Sequence, residues 1–260
     1  MPNLQHNGLG IWYELWGQGE PILLLHGFGG SGQSDWRHQI PLFSEKYQVI
    51  VPDLRGHGLT DHPETITGPE YFKTATLDVA SLVSSLDLGP VHVCGFSMGA
   101  SIASWLYFSE PSLVRSLIVV SGAARVNRSI APGLFDLWES LGEPDSVDAG
   151  WARVLARLHG EDKWRVLLKN YSTAVLARVE SDEYIVDSHA GQIECPMLII
   201  QGRGDSISPV LLSEELHAMI PHSELVMLES DHWVPGLQPD EFNAAVLDFL
   251  SRGSSPERSE

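Results

Sequence analysis

Four short segments hold the residue types that acyl transfer needs. The first is Gly95-Phe96-Ser97-Met98-Gly99, which joins the Val-rich run 91–96 to the helix-like segment SMGASIASWLYF. A Gly-x-Ser-x-Gly pentapeptide at a strand-to-helix junction folds as a sharp turn that lifts the Ser hydroxyl out of the sheet. The flanking glycines are needed because side chains would crowd that turn, and the serine itself takes strained backbone geometry. The helix that follows points its first N–H groups at the site, where they favour negative charge.

A serine hydroxyl is a poor nucleophile until a base takes its proton. The base expected is a His held in one tautomer by a carboxylate. Eleven His are present, so position must choose. His232 lies in LESDHWVPG, directly after the last apolar run. Loops at strand carboxyl ends are where sites form in open α/β sheets. Asp205 lies in GRGDSISP, after the run 196–202. The run 116–122 is followed by no acid, and Asp231 adjoins His232 too closely to orient its ring. The order Ser97, Asp205, His232 is the chain order that this kind of turn requires. The fourth segment is His26-Gly27-Phe28-Gly29-Gly30. Its glycines let backbone N–H groups approach a substrate oxygen, and the expected oxyanion donors are the N–H groups of Phe28 and Met98. His26 itself reads as a buried His that holds the loop by hydrogen bonds.

The elements that must position these residues follow from the apolar runs. Residues 21–27, 47–53, 91–96 and 116–122 read as strands, with helices over 34–46, 74–88 and from Met98 onward. The runs are continuous rather than alternating, as in strands covered on both faces. Strands alternating with helices imply a doubly wound, mostly parallel α/β sheet. GIWYELWG (10–17) reads as an antiparallel edge strand. Between 123 and 190 the rhythm stops, and the stretch reads as a helical block of four helices, the last just before Cys195. Strand and helix then resume with 196–202, 209–221, 223–229 and 239–252. The organisation expected is a core of 1–122 and 191–250, a helical insertion of 123–190 and a flexible tail of 251–260.

Composition removes other classes. The 260 residues carry a formal charge of −18, which opposes nucleic acid and anionic lipid as partners. The acidity belongs to the core and tail, since residues 123–190 hold half of all Lys and Arg. No signal peptide or membrane span is expected, and the two cysteines, Cys94 and Cys195, read as free thiols. No Cys or His spacing matches a zinc pattern, so neither metal nor cofactor is expected. The expectation is a cytoplasmic protein acting on a small molecule, with a homodimer left open.

The motifs HGFGG, PDLRGHG (52–58), GFSMG, QGRGD (201–205) and SDHW (230–233) stand in an order that resembles the α/β-hydrolase superfamily over nearly the whole chain. The resemblance implies a Ser97–Asp205–His232 triad, an oxyanion hole at Phe28 and Met98, and a cap formed by the helical block. It implies a mainly structural role for Asp53, Arg55 and His57. The nucleophile is Ser, which sets the chain apart from the dehalogenase and epoxide-hydrolase branches. Specificity is expected in the cap and the Gly-rich loop, with Trp138, Trp233 and Arg125 as candidate substrate contacts and Arg128 as a second cation at the cap entrance. The activity expected is hydrolysis of a small, largely apolar ester or lactone. A carbon–carbon hydrolase of the ring-cleavage-product type is the alternative. His232-Trp233 is similar to that group, but HGFGG lacks its Ser-Gly-Pro-Gly character. A menaquinone-pathway lyase would carry an Arg just after the elbow, where Ala100-Ser101 stands. A ligand receptor with a silent triad is the alternative of another class.

Overall fold

The apolar runs form the centre of an eight-stranded sheet in a computed structural model that describes residues 3–63, 70–123, 125–126, 128–181 and 189–253. The strands are β1 (Asn3–His6), β2 (Leu9–Trp16), β3 (Glu20–Leu25), β4 (Tyr47–Pro52), β5 (Val91–Phe96), β6 (Val114–Val120), β7 (Met197–Gly202) and β8 (Glu224–Leu228). Their order across the sheet is β1-β2-β4-β3-β5-β6-β7-β8. The pairs from β4 to β8 are parallel, while β2 runs antiparallel to β4.

Burial explains why the runs lack alternation. Side chains of a strand point alternately to the two faces. Ile22 and Leu24 join one core cluster with Trp36, Phe43 and Phe242, whereas Leu23 and Leu25 join another with Leu82 and Leu106. Both faces are covered, so every position is apolar. Truncating any of these leucines to Ala would cost about 2–5 kcal/mol.

Helices cover the two faces. They are α1 (Gly32–Trp36), α2 (Ile40–Phe43), α3 (Glu70–Leu86) and α4 (Met98–Ser109) before β6, and α8 (Val210–Met219), α9 (Val234–Leu237) and α10 (Pro239–Gly253) after β7. Between β6 and β7 lie α5 (Pro132–Leu141), α6 (Ala149–His159) and α7 (Trp164–Ser181), with no strand among the described residues there. Asp148 caps α6 by accepting from the N–H groups of Gly150 and Trp151, which satisfies two orphan donors of its first turn.

Three readings change, and a fourth lies largely outside the described residues. The expected edge strand 10–17 is not outermost, because β1 pairs with it through an Asn7-Gly8 turn with φ of 47° and 79°. That dipeptide is a two-residue hairpin signal. The single helix over 34–46 is two short helices, α1 and α2. Pro41 has no N–H to offer the carbonyl four residues back and crowds it, which ends α1 early. Helix α3 begins at Glu70 rather than 74, since Tyr71 and Phe72 are buried by its first turn. The fourth helix of the block falls largely on residues 182–188, outside the described residues; what is described before Cys195 is one 3-10 turn, Ala190–Gln192.

Candidate active site

The carboxyl ends of β3, β5, β7 and β8 bring the chemistry-bearing segments to one edge of the sheet. At the end of β5, Ser97 has φ 52° and ψ −110° and N-caps α4. A non-glycine residue at positive φ is strained. The neighbours must therefore be glycines. A Cβ at Gly95 would lie 2.3 Å from the Gly99 carbonyl oxygen, and one at Gly99 would lie 2.2 Å from that of Leu25.

His232, after β8, reaches Ser97 Oγ through Nε2 at 3.0 Å and Asp205 Oδ2 through Nδ1 at 2.8 Å. Asp205 follows β7 and is held on both oxygens. Its Oδ1 accepts from the N–H groups of Ile207 and Ser208 at 2.9 and 2.7 Å, and its Oδ2 accepts from Gln201 Nε2 at 2.9 Å. An acceptor-only carboxylate placed this way fixes Nδ1–H on the histidine and leaves Nε2 free to accept from the hydroxyl. Ser121, after β6, donates its hydroxyl to the His232 carbonyl at 3.0 Å and so ties the base to a second strand end. Gln201 thus holds Asp205 and Ser121 holds His232; Gln201 opens the QGRGD segment, but an amide or a hydroxyl beside a strand end carries no pattern that marks this part.

The loop after β3 is braced throughout. Gly27 N–H donates to Asp35 Oδ2 at 2.9 Å, and Gly32 N–H donates to Asp53 Oδ1 at 2.8 Å. His26 Nε2 accepts from Leu54 N–H at 2.9 Å while Nδ1 donates to the Gly27 carbonyl at 2.8 Å. Burial pushes the His26 pKa down to about 4 and the Asp35 pKa up to about 6. Arg55 pairs with Asp78 on α3 at 2.6 Å. These bonds leave the N–H groups of Phe28 and Met98 without an acceptor among the described residues.

Ser97, Met98, Phe28 and His232 open on a cavity of about 420 Å³. Its far wall comes from the helical insertion and includes Trp138, Trp151 and Tyr171. Tyr171 stacks on Phe28 at 3.8 Å between centroids. Among the described residues that line the cavity is Arg178 of α7, whose guanidinium lies 4.5 Å over the Phe72 ring. Of the three candidate substrate contacts, Trp138 lines the cavity. Arg125 and Trp233 do not line the cavity. The Trp233 ring turns away to pack on Gly236, with the Arg37 guanidinium 4.4 Å from its centroid. Arg125 is exposed, and Arg128 stacks on Phe135 and pairs with Glu139 and Asp136. Among the described residues no three His, Cys, Asp or Glu are placed to hold a metal ion, and no helix is long and apolar enough to cross a membrane.

Comparison with known proteins bears on the fold and on the class of reaction. The chain is 29% identical over 253 residues to 3-oxoadipate enol-lactonase 2 of Acinetobacter baylyi, covering 92% of each chain. It is 26% identical over 245 residues to an (E)-2-((N-methylformamido)methylene)succinate hydrolase of the same organism, covering 90% of this chain and 91% of the relative. The crystal structure of the enol-lactonase from Burkholderia xenovorans LB400 shares the fold, with a TM-score of 0.77 at 22% identity over 96% of this chain and all of that one. The alpha/beta hydrolase family model matches residues 22–245, and the chain is a hydrolase that belongs to the alpha/beta hydrolase family.

Proposed function

We propose that this hydrolase cleaves a small, largely apolar carboxylic ester or lactone through an acyl-enzyme on Ser97. The observation that carries the reading is the continuous hydrogen-bonded line from Asp205 through His232 to Ser97, opening on an apolar cavity.

The steps follow from the atoms. His232 Nε2 takes the Ser97 proton as Oγ adds to the substrate carbonyl carbon. The oxyanion that forms meets the N–H groups of Phe28 and Met98, each typically worth roughly 3–4 kcal/mol. Asp205 stabilises the imidazolium, which then hands its proton to the leaving oxygen as the acyl bond breaks. With a lactone that oxygen stays tethered. Water, deprotonated by His232, adds to the acyl-enzyme, and Ser97 leaves with the proton restored. The helical insertion acts as the cap: Trp138, Trp151 and Tyr171 close the cavity against bulk water and shape it for an apolar acyl group.

The names of the two Acinetobacter relatives, which contain oxoadipate and succinate, support an acid-bearing substrate.

A panel of p-nitrophenyl esters and simple lactones, with and without a terminal carboxylate, tests the reading. Turnover is expected for short acyl chains and is lost about 10⁴-fold or more in Ser97→Ala. Absence of turnover for every ester and lactone would overturn the proposal.

A further inference from the structure

Helix α6 lays one face on the loop that carries the Phe28 N–H. Trp151, Leu155 and His159 recur at every fourth position and share that face. Beneath them is bare backbone. A Cβ at Gly29 would lie 3.4 Å from both the Leu155 and the Trp151 side chains, and Gly29 itself has φ +75°. His159, buried at the end of the helix, makes two directed bonds here. Its Nδ1 accepts from Gly58 N–H at 2.9 Å, so Nε2 carries the proton and donates to the Gly29 carbonyl at 3.1 Å.

We infer that His159 is a positioning residue for catalysis: from the helical insertion it fixes the Gly29 peptide and thereby aims the Phe28 N–H at the oxyanion. The inference rests on the acyl-transfer reading of Ser97 and on Phe28 as an oxyanion donor. Contacts from the core and from the insertion converge on residues 28 and 29, and the His57 ring meets that of Phe28 edge-on at 5.8 Å. His57 Nε2 accepts from Gly29 N–H at 3.4 Å, a long bond from the core. From the insertion come Tyr171 stacked on the Phe28 ring and His159 on the Gly29 carbonyl. Among the described residues the Gly29–Gly30 peptide is otherwise held by one long bond, from Gly30 N–H to the Gly27 carbonyl at 3.3 Å, so without His159 this glycine at positive φ has the freedom to turn and carry the loop with it. Oxyanion donors act only when pre-aimed, and a misplacement of about 1 Å can cost 10²-fold. Docking of the insertion therefore completes the oxyanion hole as well as roofing the cavity.

Three variants of the full chain separate positioning from packing. His159→Phe keeps the buried ring and removes both bonds. His159→Gln can supply both an acceptor and a donor. His159→Asn can reach the Gly58 N–H but is too short for the Gly29 carbonyl. With p-nitrophenyl butyrate, kcat and kcat/KM are expected to fall together by about 10- to 100-fold in the Phe and Asn variants, as for an interaction made in the transition state. KM should stay within about twofold, and Gln should recover most of the rate. Amide hydrogen exchange over residues 26–30 should quicken in Phe and Asn and not in Gln, while β7 is unchanged. Wild-type kcat in a folded Phe or Asn variant, a loss confined to KM, or a Gln variant no better than Phe would overturn the inference. If His159→Phe does not fold, the Asn and Gln pair decides. If the wild-type chain turns over no ester, the acyl-transfer reading fails, and the exchange pattern still accepts or rejects the positioning role.

Discussion

Two sites in this molecule use histidines to join distant segments, and they give the residue opposite chemistry. His232 has a carboxylate on one ring nitrogen and a hydroxyl on the other, and 17% of its side chain stays exposed at the cavity. His26, His57 and His159 form a buried file with ring centroids 5.0 and 5.4 Å apart. Their ring nitrogens bond only backbone groups, those of Gly27, Leu54, Gly29, Arg55 and Gly58. Burial lowers His26 and His159 to about 4 and His57 well below its ordinary value. A histidine with a fixed carboxylate and an open face can pick up and return a proton. One enclosed by apolar surface and peptide groups stays neutral and serves as a brace.

The sharpest way to break this contrast is to install the same amide at both sites. Glutamine can accept and donate but cannot take a proton as a base. His232→Gln is expected to lower kcat by about 10⁴-fold or more. His57→Gln, which can still accept from Gly29 N–H and donate to the Arg55 carbonyl, should cost less than about tenfold. Equal losses on the same ester would collapse the distinction. Asp205→Asn probes the feature that makes His232 different. An amide at this position offers its own donor and favours the wrong imidazole tautomer, so kcat is expected to fall about 10⁴-fold with KM little changed.

A smaller effect separates the sites by pH. In the unfolded chain His26, His92 and His159 take up protons near 6.5, and in the folded chain near 4. Between those values the unfolded state binds more protons, so stability falls as pH falls through that window. Asp35, raised to about 6 by burial, holds a proton in the folded chain below that pH and offsets part of the loss. His159→Gln removes one of the histidines. The fall in unfolding free energy between pH 7 and pH 4.5, read from urea titrations, should shrink by roughly 2 kcal/mol in that variant. An unchanged fall would show that His159 is not held neutral by burial.

The triad segments were legible because each carries a side-chain pattern at a strand end: the Gly-x-Ser-x-Gly turn, the acid after the run 196–202 and the His after the last run. The sheet was legible because strands buried on both faces have continuous apolar sequences. The braces were partly legible, since His26 and the PDLRGHG segment adjoin the loops they hold. His159 was not. Its partners are backbone atoms 101 and 130 residues away, and a peptide carbonyl has no sequence pattern. Substrate contacts were the least legible. Trp233 adjoins His232 in sequence, yet consecutive residues point different ways, and its ring packs on Gly236 instead. Arg178 faces the cavity only because of how α7 docks, which local spacing does not encode.

The central claim is that His232 activates Ser97. A fluorophosphonate reacts with an activated serine and marks the residue, so peptide mapping of the labelled chain tests the claim directly. Wild-type protein should be phosphonylated at Ser97 alone, at a rate that falls at least about 10³-fold in His232→Gln. Labelling at another serine, or at Ser97 with an undiminished rate in that variant, would contradict it.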